Sequence, residues 1–173
     1  MSQPLPPIDA HQPLREAVRD LCQRFDSGYW QQVDEARGYP EAFVDALTNA
    51  GWLAAMIPTE YGGSGLGVTE ASVIMEEINL SGGNAGACHG QMYNMGTLLR
   101  HGSAEQKALY LPKIASGEWR LQSMAVTEPG TGTDTTQLKT TAVRRGDRYV
   151  VNGQKVWISR IQHSDWMVLL ART

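Results

Sequence analysis

The feature that most constrains this chain is a change of hydrophobic period near residue 120. Before it, apolar residues recur every three or four positions, the spacing that lines one side of a helix. After it, apolar runs are short and bounded by glycine and polar turns, as strands require. The pattern predicts an α+β chain: an all-α helical N-terminal domain over residues 1–120, then an incomplete antiparallel, barrel-like β domain over 121–173.

Leu14, Val18, Leu21, Cys22, Phe25 and Tyr29 predict a first helix, with Pro13 suited to its first turn. Pro40 can open a second, carrying Phe43, Val44 and Leu47, and Gly51 can close it in the left-handed conformation. The run Pro58 to Gly67 reads as a flexible interhelical turn. It lacks the Gly-Lys-Ser/Thr of a phosphate loop and the preceding strand of a dinucleotide fingerprint. Ala71, Ile74, Met75 and Ile78 mark a third helix ended by Gly82-Gly83. Met92, Met95, Leu98 and Leu99 mark a fourth, closed near Gly102. Ser103 and Gln106 fit a capping box for a fifth, which Pro112 should end or kink. Beyond residue 120, strands are expected over 121–126, 138–145, 148–151, 155–159 and 166–171. Gly146-Asp147 reads as a turn and Asn152-Gly153 as a hairpin, since both central residues of a type I′ turn need positive φ. A sheet stopping on an apolar strand has an unmanaged edge, so further chain is expected after Thr173.

Composition narrows the function classes. With 42% hydrophobic and 19% charged residues the chain can bury a core rather than stay disordered. A net charge of −3, with no basic stripe, gives no footprint for nucleic acid. No apolar run has the length of a membrane span, and the N-terminus lacks the basic and apolar regions of a signal peptide. Cys22 and Cys88 form no Cys-x-x-Cys pair, so a reducing, cytoplasmic setting is expected. Of His11, His89, His101 and His163, only His89 adjoins a possible co-ligand, Cys88. Neighbouring side chains on a helix diverge, so no metal site is expected. No nucleophile elbow is present. Met75, Met92 and Met95 read as core filler, with the lining of an apolar ligand tunnel as the alternative for Met92.

Two stretches carry most of the chemistry. In Met124-Ala-Val-Thr-Glu-Pro-Gly-Thr-Gly-Thr-Asp134 a buried strand runs into a turn rich in glycine and hydroxyls, whose N–H groups could hold carbonyls, ring nitrogens or phosphates. The residues alone equally allow a solvated loop. In Asn152-Gly-Gln-Lys-Val-Trp-Ile-Ser159, Trp157 could be core or a cofactor platform.

Taken together, and with Pro58-Thr-Glu-Tyr-Gly-Gly-Ser-Gly-Leu-Gly67 and Tyr110-Leu-Pro-Lys-Ile-Ala-Ser-Gly-Glu118 upstream, these stretches resemble the acyl-CoA dehydrogenase family. The likeness covers nearly the whole chain after about residue 12. It implies a flavin, FAD, bound between the middle domain and a C-terminal helical bundle. It further implies that Met124, Ala125, Val126 and Thr127 contact the isoalloxazine ring, with backbone N–H groups and the Thr127 hydroxyl serving its pyrimidine edge. Trp157 would pack on the ring with Ile158 beside it. Ser159 would place its hydroxyl near N5, and Thr133 would meet the acyl-CoA. Gly130 and Gly132 would allow close backbone approach. The implied reaction is α,β-dehydrogenation of an acyl-CoA thioester to the trans-2-enoyl-CoA, with an electron-transfer flavoprotein as acceptor and a homo-oligomer when full length. An acyl-CoA oxidase or flavin monooxygenase of the same fold, or an inert module, are the alternatives. No residue within 1–173 matches the family's glutamate base, so no catalytic residue is assigned, and Glu128 is not promoted to that role. By itself the chain is expected to hold FAD weakly or not at all. After Ser159, where relatives often carry Asn or glycine-rich residues, stands Arg160-Ile-Gln-His-Ser-Asp165. Arg160 and His163 either modify access to the site or lie in a solvated turn.

Overall fold

A computed structural model describes residues 10–173. Six helices come first: α1 (Gln12–Cys22), α2 (Ser27–Glu35), α3 (Glu41–Asn49), α4 (Val68–Leu80), α5 (Gly86–His101) and α6 (Ala104–Ala115). Four strands follow: β1 (Ser123–Ala125), β2 (Thr141–Arg145), β3 (Arg148–Asn152) and β4 (Met167–Leu169).

The pattern from Leu14 to Tyr29 spans two helices rather than one. Asp26 stands between them, and its carboxylate accepts a hydrogen bond from the Tyr29 amide at 2.9 Å, which starts α2 afresh. Gly51 has φ 80 after α3, the left-handed closure its position predicts. Ser103 and Gln106 form the reciprocal capping box. Pro112 lies inside α6, which runs on to Ala115. The proline sits in the last turn, so the helix forgoes only the bond to the Ala108 carbonyl.

Two apolar clusters hold these helices. The first joins α1, α3, α4 and α5 through Val18, Phe43, Val44, Leu47, Ile74, Ile78 and Cys88. Phe25, Trp30 and Phe43 meet edge to face within it. The second gathers Ile57, Met95, Leu111, Ile114 and Leu121, with Val168 packed on it, and so fastens β1 and β4 to the helices.

The turn from Pro58 to Gly67 is tightly bonded, contrary to the flexible segment expected. Gly65 and Leu66 amides donate to the Ile57 and Ala55 carbonyls, both at 2.8 Å. A Cβ added to Gly63 would lie 2.1 Å from the Ile57 oxygen, which is backbone and cannot swing aside. Gly63→Ala is therefore expected to cost about 1–3 kcal/mol in urea denaturation. An unchanged midpoint would show that this turn yields.

The β part departs from the expected antiparallel barrel. β1 and β4 pair in parallel, Ser123 opposite Met167 and Ala125 opposite Leu169. β2 and β3 form a separate antiparallel hairpin, and no barrel is formed by the described residues. Parallel pairing is possible because residues 126–166 supply the long crossover it needs. The hairpin turn is Gly146-Asp147, with Arg145 opposite Arg148 and Gly146 at φ 64, not Asn152-Gly153. Gly153 lies against Thr140, whose Oγ1 would be 2.2 Å from an added Cβ, so the chain passes over Thr140 rather than turning back. Residues 155–159 are not a strand. Lys155 and Val156 bond to residues 126–128 instead.

Candidate functional site

The site is built where the end of β1 meets the segment after β3. Three carbonyls at the end of β1 are all engaged. Ala125 accepts from the Leu170 amide at 3.0 Å, Val126 from Lys155 Nζ at 2.8 Å, and Thr127 from the Val156 amide at 3.0 Å. The donors in the same place are unused: among the described residues, the Val126 and Thr127 amides and the Thr127 and Ser159 hydroxyls have no acceptor. Such a row of donors with its acceptors already satisfied suits a ligand edge rich in oxygen and nitrogen lone pairs.

Glu128 fixes this geometry. Its carboxylate accepts from the Lys139 amide at 2.7 Å, the Thr140 amide at 2.9 Å, the Thr140 hydroxyl at 2.5 Å and Lys155 Nζ at 2.9 Å. The Thr140 hydroxyl bond foremost, then the Lys139 amide and the other donors, hold its carboxyl down to about 2 against the opposing effect of burial. A carboxylate so saturated is a poor proton acceptor. Lys155 and Glu128 are the positioning residues that reading the motifs missed. The signal was the lysine of Asn-Gly-Gln-Lys, whose charge needs a partner once the segment packs on β1.

Trp157 is not core. It is 89% exposed, with φ 61, a left-handed backbone rare for a bulky aromatic side chain. Its neighbour Ile158 is half-buried and Ser159 exposed. The Ser123 hydroxyl donates to the Ser159 carbonyl at 2.8 Å, which ties that residue to β1. Met124, Val126 and Thr127 are half-buried, whereas the Ala125 side chain is fully buried, so Ala125 offers the site only its backbone. The structure thus brings 124–127 and 157–159 together through the Lys155, Val156 and Ser159 bonds. Thr133 lies exposed in the loop held by the Glu128–Thr131 bridge, and added Cβ atoms at Gly130 and Gly132 meet nothing within 4 Å. Those glycines are not required by the chain's own packing.

A second concavity, of about 600 Å³, opens between α4 and α5, lined by Met56, Ala71, Met75, His89, Met92 and Tyr93 among others. Met75 and Met92 therefore border a cavity, while Met95 is fully buried in the second cluster. Among the described residues no group of His, Cys, Asp or Glu could hold a metal ion, and no helix is long and apolar enough to cross a membrane.

The comparisons with known proteins agree on one family. Residues 8–118 match the acyl-CoA dehydrogenase N-terminal domain and residues 123–173 the middle domain. The chain is 36% identical over 164 residues to mitochondrial isovaleryl-CoA dehydrogenase of Bos taurus, covering 92% of this chain and 38% of that protein. The acyl-CoA dehydrogenase of Geobacillus kaustophilus superimposes with a TM-score of 0.84 at 29% identity, over 100% of this chain and 45% of that one. A chain in the structure of the electron transferring flavoprotein of Acidaminococcus fermentans gives a TM-score of 0.84 at 30% identity, over 100% and 45%. The chain thus spans less than half the length of each of these relatives. With both domain matches in chain order, the chain belongs to the acyl-CoA dehydrogenase family.

Proposed function

We propose that this chain supplies the helical domain, residues 1–120, and the first part of the middle domain, residues 121–173, of an FAD-dependent acyl-CoA dehydrogenase. The observation that carries the reading is the set of unused donors on Val126, Thr127 and Ser159 beside the exposed Trp157. When bound, the flavin supplies hydride acceptance at N5, and the product is a trans-2-enoyl-CoA. The chain's own residues do the positioning. Val126 and Thr127 amides and the Thr127 hydroxyl donate to the pyrimidine edge and stabilise negative charge there. Met124 and Ile158 bracket the ring, Ala125 contributes backbone, and Trp157 covers a ring face. The Ser159 hydroxyl lies at N5. Thr133 meets the thioester ligand, and the cavity between α4 and α5 takes the apolar acyl chain.

The acyl-CoA family membership and the likeness to a chain in an electron transferring flavoprotein structure support that class of protein as electron acceptor. Solved relatives that include the ChsE4-ChsE5 complex of Mycobacterium tuberculosis support assembly into an oligomer. Free, buried Cys22 and Cys88 support a reducing, cytoplasmic setting.

The test is anaerobic addition of straight and branched acyl-CoAs to the flavin-loaded polypeptide that carries this chain. Bleaching of the flavin absorbance, with reoxidation that waits for an electron-transfer flavoprotein, is expected. Rapid reoxidation by air would instead identify an oxidase, and no bleaching with any thioester overturns the reading. The role of Trp157 has its own test in the same flavin-loaded polypeptide. Trp157→Asn is expected to raise stability by about 0.5–1 kcal/mol, because asparagine tolerates the left-handed backbone. The same change should weaken FAD binding in equilibrium dialysis roughly tenfold, through loss of the aromatic face. FAD affinity equal to that of the unaltered chain would remove Trp157 from the site.

A further inference from the structure

Ser159, whose hydroxyl the proposed function sets at N5, stands at the start of a turn that the Glu128 and Lys155 bonds do not hold. We propose that Tyr39, Gln122 and Ser164 are its positioning residues: a relay of hydrogen bonds from the helical domain fixes the Ser159–Arg160 peptide and so aims the Ser159 hydroxyl. The aim at N5 rests on the flavin reading above, whereas the relay is made of the chain's own bonds.

The turn is gripped at two successive carbonyls. The Ser123 hydroxyl donates to the Ser159 carbonyl at 2.8 Å, and the Ser164 hydroxyl to the Arg160 carbonyl at 3.0 Å. With both hydroxyl protons so placed, the Ser123 and Ser164 oxygens, 3.0 Å apart, have no proton left to share between them. The Ser164 oxygen accepts instead from the Gln122 amide at 3.3 Å. The far end of the turn is sewn to the same stretch, since the Arg120 carbonyl accepts from the Asp165 and Trp166 amides at 3.0 and 3.2 Å. The grip has work to do. Arg160 holds φ 58, ψ 19, an unfavourable conformation for a residue with a side chain, and once released it would relax and swing Ser159 with it.

The other end of the relay lies in the helical part. Tyr39, between α2 and α3, donates its hydroxyl to Gln122 Oε1. Its ring stacks on His163 with centroids 4.2 Å apart and planes at 17°, and the Arg120 guanidinium lies 5.5 Å from the ring centroid. Tyr39 therefore touches both the residue that feeds Ser164 and the turn that Ser164 closes. Gln122 is seated on α5 as well: a Cβ added to Gly90 would lie 2.8 Å from its carbonyl oxygen. Next to it, Asn94 Nδ2 donates to the Leu121 carbonyl at 3.3 Å. One turn earlier on the helix, a Cβ added to Gly86 would lie 1.9 Å from Arg160 Nη2. Residues 86, 90 and 94 share one face of α5, so that face backs both Gln122 and the Arg160 turn.

Gln122 is not the residue that packing alone would select. It is 1% exposed, and its Nε2 has no hydrogen-bond partner among the described residues. A buried orphan donor lowers stability, and such local conflicts gather at functional sites. What the side chain contributes is the acceptor that holds the Tyr39 hydroxyl.

Tyr39→Phe tests the relay from its distant end, because it keeps the ring and the His163 stack and removes only the hydroxyl. Hydrogen exchange over residues 160–166 is followed by mass spectrometry in the full polypeptide that carries this chain, without flavin. Flavin bleaching by acyl-CoA is followed in the same polypeptide loaded with FAD. Tyr39→Phe and Ser164→Ala are each expected to quicken exchange over 160–166 roughly tenfold. Each should slow bleaching roughly tenfold at saturating thioester and leave the half-saturating concentration unchanged, as misplacement of a reacting group does. The double variant should be no slower than the slower single one, since both changes interrupt one relay. Ser164→Thr keeps the hydroxyl at an extended backbone, φ −121 and ψ 131, and is expected to match the parent. Parent-like exchange or parent-like bleaching in Tyr39→Phe, additive slowing in the double variant, or a threonine variant as slow as the alanine one would each overturn the proposal. A parent that no thioester bleaches removes the flavin reading and the aim at N5 with it. A parent that is bleached while Tyr39→Phe matches it removes the relay alone.

Discussion

Phe43→Ala is expected to destabilise the chain by about 3–5 kcal/mol, the largest loss from any one side chain of the helical part. Phe43 is 1% exposed, with ring centroids 5.2 Å from Phe25 and 4.8 Å from Trp30. Its removal ends both edge-to-face contacts and leaves a cavity in the first cluster. Edge-to-face pairs add about 0.5–1.5 kcal/mol beyond the area they bury, so Phe43→Leu should recover part of the loss and no more. Urea denaturation of the three proteins measures this directly. A loss below about 2 kcal/mol for alanine would mean that the aromatic group collapses around the gap.

Glu128→Gln is expected to release the loop from residue 129 to 140 while leaving the helical core intact. The glutamine keeps the size but can no longer accept every bond: one of its two terminal atoms becomes a donor facing the Thr140 and Lys139 amides or the Lys155 ammonium. Lys155 would then lose its ion-pair partner, and its link to the Val126 carbonyl would weaken. Hydrogen exchange at the Lys139 and Thr140 amides should quicken roughly tenfold or more, and FAD affinity should fall with it. Unaltered exchange at both amides would remove Glu128 from its positioning role. The same group sets a pH dependence. Its carboxyl is held from an ordinary 4.5 down to about 2 in the folded chain. The unfolded chain therefore takes up the proton first as pH falls. The stability that Glu128 contributes is complete above about 4.5 and is lost on the way down to about 2. Glu77, held low chiefly by its hydrogen bonds to Arg15 and also to Arg19 against burial, acts in the same direction.

Much of the helical part was legible because periodicity and caps report local physics. Ser103 with Gln106, Gly51 after α3 and the apolar stripe of α4 need no knowledge of the rest of the chain. The split at Asp26 was missed because the apolar spacing continues across it, and only the capping carboxylate shows the break. The β part was less legible for a related reason. Asn152-Gly153 is a strong local turn signal, but Thr140 passes so close to Gly153 that a tertiary contact takes the glycine instead. Parallel pairing of β1 with β4 joins residues far apart in sequence, which no short pattern encodes. The segments 124–127 and 157–159 were singled out through the motifs. Their support by Glu128 and Lys155, and the seating of Arg160 on Gly86, depend on distances that exist only after folding.

The pairing of β1 with β4 has a kinetic consequence. Segments 124–127 and 157–159, the proposed flavin site, start or lie within the single loop that this pairing closes. Closing such a loop costs chain entropy before any of its contacts reward it, so it comes late, after the helices have gathered around Phe43 and Ile74. A nascent chain would then carry a finished helical body and an unmade cofactor cradle until Met167 to Leu169 arrive. Assembly of the proposed flavin site is in this way placed after, and made conditional on, the folding of the helical domain.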